Sequence, residues 1–286
     1  MTRRSKPSRR RPSAHAHRPR PPLRRRVRRA LPARGRIAAA VLTAVLTGGL
    51  LALINGPWLR VSTVAWAGER YTPATQLQRA LAPLDGTALL TVDATAVAAR
   101  LQRLPAVSHA TVETVLPDTV RVHIVEKVAT IVWQTSAVRL VGSADGTLIG
   151  QLALEADLPA DIAALPLVDD QRVASRGLIV GDRIDPSALA AALLLAEVQP
   201  AALGSAAVDL ELRLTDADGF LLVSHKPGWE ADFGFYPDAD EEGASGALGE
   251  RVEAQVTAVR TLFAFEGEGK VSWVDARDPR RVYWRP

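Results

Sequence analysis

Five histidines and a few grouped acids are the residues with which this chain could do chemistry, and their spacing speaks against it. His15 and His17 fall in an Arg/Pro-rich stretch, and His109 and His123 flank Pro117-Asp118, across which they could face each other in a hairpin. Two histidines without a placed carboxylate make a poor zinc site. Asp169/Asp170 and Asp216/Asp218 fall at turn signals, where carboxylates are usually solvated or bonded to nearby backbone. Ser224-His225-Lys226 lies in a strand pattern, whose neighbours point to opposite faces, so it is no ready catalytic cluster. There is no HExxH, no Gly-rich phosphate loop and no Gly-x-Ser-x-Gly elbow; Ser-x-x-Lys and Lys-Thr-Gly are also missing. The absence of cysteine excludes disulfides, thiolate nucleophiles and Cys-ligated zinc. No catalytic residue, cofactor-binding residue or metal ligand is expected, and no cofactor.

The remaining chemistry is that of surfaces, and one uncharged run organises it. Residues 37–59 form 23 positions without a charge. As a helix they reach about 34 Å, against a hydrocarbon core of about 30 Å. Asn55-Gly56-Pro57 supplies a stop, and Trp58 suits a membrane interface. The run is read as one transmembrane helix over 37–59 rather than the buried helix of a soluble protein, since few soluble helices are apolar all round. A small-residue cleavage site exists at Ala65-Trp66-Ala67, but signal cores run to about 7–15 residues, so the span is read as an uncleaved anchor.

Charge is divided about this run. Of 35 basic and 31 acidic residues, 15 basic and no acidic ones lie in residues 1–36, leaving 20 against 31 for the remainder. The high overall pI therefore belongs to the tail and is no nucleic-acid signature. Proline-rich and with almost nothing apolar before Leu23, residues 1–36 are expected to be a disordered cytoplasmic tail. Arg24, Arg25, Arg26, Arg28 and Arg29 would hold the N-terminus inside and send everything after Leu59 across the membrane; they could also touch anionic lipid.

Beyond the anchor, Val61–Ala67 reads as a strand closed by Gly68. Thr72-Pro73 reads as a hydroxyl N-cap followed by proline at the first helical position; Leu77, Ala80, Leu81 and Leu84 then share one face. Asp93 can cap a second helix with Val97, Leu101 and Leu104 inward. Val107–Leu116 and a long strand Thr119–Trp133 follow as a hairpin, completing β-α-α-β-β. The next piece is strand-rich. Val138–Val141 pairs with Thr147–Leu152; Leu165–Val168 and Leu178–Val180 are short strand candidates; Asp185-Pro186 opens a helix to about Val198 with Leu189, Leu193 and Ala196 inward. Ala206–Leu214 alternates as a half-buried antiparallel strand, and Phe220–His225 and Glu230–Tyr236 follow it. Pro237–Gly249 reads as a solvated acidic loop. Leu248, Val252, Gln255, Val256, Val259 and Phe263 form a helix stripe, and Val271–Ala276 and Arg281–Trp284 close the chain as strands. The fold class is α+β.

Val64-Ala-Trp-Ala-Gly68, Leu101-Gln-Arg-Leu-Pro-Ala-Val107, Val115-Leu-Pro-Asp-Thr-Val120 and Val125-Glu-Lys-Val-Ala129, in that order after a single span, resemble a POTRA domain. With the basic tail and one membrane-proximal POTRA unit, the chain resembles the FtsQ/DivIB family of bacterial cell-division proteins. Phe233-Gly234, Val274-Asp-Ala-Arg277 and Val282-Tyr-Trp-Arg285 match the family's second, β domain. The resemblance is thinner between Gln151 and Gly204, and the acidic stretch Asp238–Glu242 looks like a local elaboration. The expected organisation is a tail over 1–36, a span over 37–59, a POTRA domain over 60–129 and a mostly antiparallel extracytoplasmic β domain with two helices over 130–286.

The resemblance implies a divisome scaffold in the plasma membrane, at the septum, that recruits FtsB (DivIC)-like and FtsL-like proteins and other divisome members and helps control septal peptidoglycan synthesis, without enzymatic activity. It implies capture at the C-terminal sheet edge, where Trp273, Asp275, Arg277, Val282, Tyr283 and Trp284 are the candidate partner-binding residues. An open edge exposes N–H and C=O groups to which another chain can add a strand, and aromatics there supply anchor area. Pro279 and Arg281 would blunt indiscriminate pairing. A POTRA-type export or assembly component, or an anchored cell-wall enzyme, stays open as an alternative. Deleting Arg24–Arg29 is expected to loosen the orientation. Protease added to intact spheroplasts would then spare a fraction of the C-terminal half that it digests fully in the parent chain.

Overall fold

A computed structural model describes residues 33–236 and 244–286. Arg24, Arg25, Arg26, Arg28 and Arg29, with the rest of the tail to Pro32, lie outside the described residues, as does the acidic stretch Asp238–Glu242. Helix α1 spans Ala33–Asn55. It starts four residues ahead of the expected span, taking in Arg34 and Arg36, and it stops at Asn55 rather than Leu59 because Gly56-Pro57 cannot continue it. Ile37, Val41, Leu42, Val45, Leu46, Leu50 and Leu51 are each more than half exposed, so α1 presents apolar side chains all round. It is long and apolar enough to cross a membrane.

The next unit holds β1 (Thr63–Ala67), α2 (Ala74–Leu81), α3 (Ala94–Leu101), β2 (Val107–Val115) and β3 (Thr119–Glu126). The expected β-α-α-β-β order is present. Its sheet runs β1-β3-β2, with β1 parallel to β3 and β2 antiparallel to it. The period-two pattern of β3 puts Val120, Val122 and Ile124 inward against Leu77, Leu81, Val97 and Leu101, all buried. Asp93 caps α3, accepting from the Thr95 and Ala96 amides at 3.0 Å each. Thr72 does not cap α2: among the described residues its buried hydroxyl has no hydrogen-bond partner. Instead the amides of Arg70, Tyr71 and Thr72 donate to the Glu126 carboxylate at 2.9, 2.7 and 2.8 Å. Three such bonds occupy the oxygens of one side chain at the end of the central strand. Gly68, with φ +99°, is required beside it, since a Cβ there would stand 2.1 Å from the Ile124 carbonyl oxygen. Register sets His109 opposite Val125 and His123 opposite Thr111, so the two histidines do not oppose each other.

The expected strand Thr119–Trp133 is two strands in two sheets. After Glu126 the chain leaves the first sheet, and following Lys127 and Val128 it enters β4 (Ala129–Gln134) of the second. There it is joined by β5 (Arg139–Ser143), β6 (Leu148–Leu152), the single turn α4 (Ala160–Ala163), β7 (Leu167–Asp170), α5 (Pro186–Ala196), β8 (Glu211–Thr215), β9 (Gly219–Ser224), β10 (Trp229–Gly234), α6 (Ala244–Glu266), β11 (Trp273–Asp275) and β12 (Tyr283–Arg285). The sheet order is β12-β11-β10-β9-β8-β7-β4-β5-β6. Pairs β4–β7, β7–β8 and β10–β11 are parallel and the others antiparallel. Each parallel pair needs a crossover, which explains why helices punctuate this part. Helices α5 and α6 cover one face; α4, Ala106 and Tyr71 cover the other at the β4–β6 end.

Several local expectations change. Strand β8 starts only at Glu211, because the stretch from Ser205 is drawn into a loop by Glu268 and Val208 is left 93% exposed; it is antiparallel to β9 as expected but parallel to β7 on its other side. Leu178–Val180 follows a short 3-10 turn and is not a strand. In α5 the fully buried positions are Ala191, Ala192 and Leu195 rather than Leu193 and Ala196, since the helix is apolar all round and packing chooses the face. The expected loop Pro237–Gly249 gives way to α6 from Ala244, where docking of Leu248 and Val252 outweighs the glycine penalty. Strand β9 ends at Ser224, so His225 and Lys226 lie in the following turn.

Asp169 and Asp170 belong to β7, and Asp170 is buried. Its carboxylate accepts from Trp133 Nε1 at 2.8 Å, from Arg172 Nε and Nη2 at 2.9 and 2.8 Å, and from the Ser175 hydroxyl. Burial would push its pKa up; the Arg172 and Ser175 hydrogen bonds override it and hold the group below the usual carboxylate range. The resulting stabilisation is full above that range and is lost as pH falls through the depressed value. Asp170→Ala strands a guanidinium and an indole N–H and is expected to cost about 3–5 kcal/mol in urea unfolding. Asp169→Ala, which loses bonds to Gln134 and Gln171 at the surface, is expected to stay within about 1 kcal/mol.

Candidate partner-binding edge

The C-terminal edge is built on β10. From it α6 crosses over and delivers β11 in parallel, with Glu230 beside Trp273, Ala231 beside Val274 and Asp232 beside Asp275. Strand β12 then turns back antiparallel, setting Arg285, Trp284 and Tyr283 against Trp273, Val274 and Asp275. Among the described residues β12 is the last strand of the sheet and has a neighbour on one side.

Alternation sorts the expected residues between two faces. Val274 is fully buried, and Val282 and Trp284 pack half-buried against the core under α6. Trp284 is thus a core residue of the edge rather than a free anchor. Tyr283 is 62% exposed. Trp273 is half-buried and lies in β11, inside the edge; its Nε1 donates to Asp232 Oδ2 at 3.1 Å and the Arg285 guanidinium stacks on its ring at 4.4 Å. Arg277 grips Asp275 through Nε at 2.8 Å and through Nη2, and their hydrogen bonds hold the Asp275 carboxyl below its usual range. The Arg277 stem lies over Gly234, where an added Cβ would meet its Cγ at 2.9 Å. Asp275 and Arg277 therefore brace the chain as it leaves β11. Pro279 and Arg281 precede β12 rather than lying in it, and the Arg281 amide is closed in a turn by the Asp278 carbonyl at 2.9 Å.

Two groups that hold this edge were not singled out from sequence. Gln255 of α6 is fully buried; its Nε2 donates to the carbonyls of Phe233 and Ala276 at 2.8 and 2.9 Å, and its Oε1 accepts from Tyr236. It ties α6 to the ends of both β10 and β11. A glutamine inside an apolar helix stripe was the available signal. Asp232 is fully buried on the face away from the helices, and a carboxylate between strand apolars was the signal there. Beside the edge, an open groove of about 900 Å³ is lined by Ala254, Thr257, Thr261, Phe265, Pro279 and Val282. Phe265 is 85% exposed in it.

Against known proteins, the family model described as POTRA domain, FtsQ-type, matches residues 59–127. That is the three-stranded unit with its lead-in and the link to the second sheet. The cell division protein FtsQ of Chloroflexus aggregans is 31% identical over 170 residues, covering 59% of this chain and 60% of that protein. The three-stranded unit thus matches a POTRA domain of the FtsQ type, and the chain is similar to FtsQ cell-division proteins. The cell division protein FtsQ of Chloroflexus aurantiacus is 27% identical over 235 residues, which is 80% of this chain and 76% of that protein. The chain thus aligns with about three fifths of the first FtsQ relative's length and with more of the second's. The second alignment is longer than the POTRA match, so likeness to FtsQ extends into residues outside that unit.

The two aromatics of β12 are expected to respond differently to charge. Trp284→Lys removes half-buried core area and is expected to cost about 2 kcal/mol or more. Tyr283→Lys is expected to shift the urea midpoint by less than the equivalent of about 0.5 kcal/mol.

Proposed function

We propose that this protein is a single-pass divisome scaffold whose β12 edge captures a partner by strand addition. The N-terminus would be cytoplasmic and both sheet units extracytoplasmic, with the protein placed at the division septum. The partners are FtsB (DivIC)-like and, through them, FtsL-like proteins, and the assembly would help control septal peptidoglycan synthesis without chemistry of its own. The observation that carries this reading is the edge itself. Among the described residues β12 is a three-residue strand with a neighbour on one side; it presents Tyr283 exposed on one face, while Val282 on its other side lines the groove beside α6. Main-chain bonds would supply affinity and alternate side chains specificity, the usual division of labour in strand addition. The FtsQ-type POTRA match, the likeness to FtsQ proteins and the apolar helix α1 support the setting.

The test is binding of an FtsB-like partner to the full chain. Tyr283→Lys is expected to weaken binding about tenfold or more while the protein stays folded. Unchanged affinity would remove the edge assignment. A fluorescent fusion spread evenly around dividing cells would remove the septal role.

A further inference from the structure

Asp232 is a buried carboxylate that the edge does not fully satisfy. It is 0% exposed, Oδ2 takes one bond from Trp273, and Oδ1 has no hydrogen-bond partner among the described residues. The groups facing it come from each neighbouring element. On its own strand stands Glu230, held by Arg213 at 3.2 Å. Beside β9, Leu221 is its register partner, and Asp218 lies in the turn before that strand. From β11 come Trp273 and Asp275, and beyond β11 comes Arg277, whose guanidinium is directed to Asp275. On β12, Arg285 covers the Trp273 ring and Tyr283 stands opposite Asp275.

We propose that Asp232 is a proton-operated latch on the C-terminal edge: neutral, it keeps β11 and β12 seated against β10; ionised, it eases them away. Taking a carboxylate out of water with one donor in return disfavours its charged form. Burial first, then the charge of Asp218, push its pKa up to about 6, against the opposing Trp273 bond; Asp275 pushes the same way and Arg277 opposes it. When β11 lifts away, water reaches the group and it ionises in the ordinary carboxylate range. The closed edge therefore binds a proton that the open edge releases. Closure is favoured at low pH and weakens as pH rises from the ordinary range through about 6. Trp273 transmits the change to β12, because the indole that Asp232 holds is the one on which Arg285 rests.

The experiment is hydrogen exchange on the full chain in detergent micelles, at about pH 5 and about pH 7.5, corrected for intrinsic exchange rates. Protection of peptides within 272–286 is expected to fall about tenfold to a hundredfold between the two, the ratio set by the two pKa ranges. Asp232→Asn is expected to abolish the pH dependence, and Asp218→Asn to move it to lower pH. Protection independent of pH in the parent chain, or full dependence surviving in Asp232→Asn, would overturn the latch. Should Asp232→Asn not fold, Asp218→Asn decides: a transition moved downward supports the latch and an unmoved one overturns it. No partner enters the readout, so the latch and the docking of a partner on β12 fail or stand separately.

Discussion

Glu126, Lys127 and Val128 are the seam on which both sheets depend. The central strand of the three-stranded sheet runs into Glu126, and two residues later the same backbone is a strand of the nine-stranded sheet. So short a link leaves little freedom, and what remains is taken up by ionic and apolar contacts. The Glu126 carboxylate gathers the three amides that precede α2. Lys127 Nζ reaches Asp145 at 2.8 Å and Thr147 at 2.9 Å, drawing the Asp145 carboxyl well below its usual range. Arg70 pairs with Asp161. The Tyr71 ring lies so close over Gly150 that a Cβ there would meet it at 2.8 Å. A small third core of Ala106, Val132, Val141, Ile149 and Ile162 closes the joint.

The far edge depends on a different device. Antiparallel neighbours β8, β9 and β10 come from tight turns, but β11 arrives only after the 23-residue helix α6. Its register is therefore set by side chains rather than by a hairpin. Gln255 answers backbone carbonyls at the ends of two strands, and Asp275 with Arg277 fixes the exit. Parallel and antiparallel pairing alternate here for that reason, and the outermost strands are held by few residues.

Legibility in the sequence followed the range of the forces involved. The cap at Asp93, the alternation of Val120, Val122 and Ile124, and the stripe from Val252 to Phe263 rest on local periodicity and were readable. The break after Glu126 was not, because Thr119–Trp133 keeps its β-forming composition across it and the bend answers groups more than 50 residues away. A hydroxyl before proline is locally apt as a cap, yet α2 starts without a side-chain cap and a remote carboxylate instead gathers the amides of residues 70–72 ahead of it. At the edge, residue types were readable and their faces were not: Trp273, Tyr283 and Trp284 look alike in sequence, and register alone separates buried from exposed. Asp170 looked like a turn acid until its partners Trp133 and Ser175 came into view.

The shortness of β12 has a mechanical meaning. Any load applied to the C-terminal edge and resisted elsewhere in the chain acts first on three paired residues, Tyr283 to Arg285, before it can strain the longer β9–β10 or β2–β3 ladders. Strands held by so few bonds open at far lower free energy than a core strand. The edge is thus the point of first yield, and peeling it spares Val168, Phe220 and Phe233 in the buried centre of the sheet.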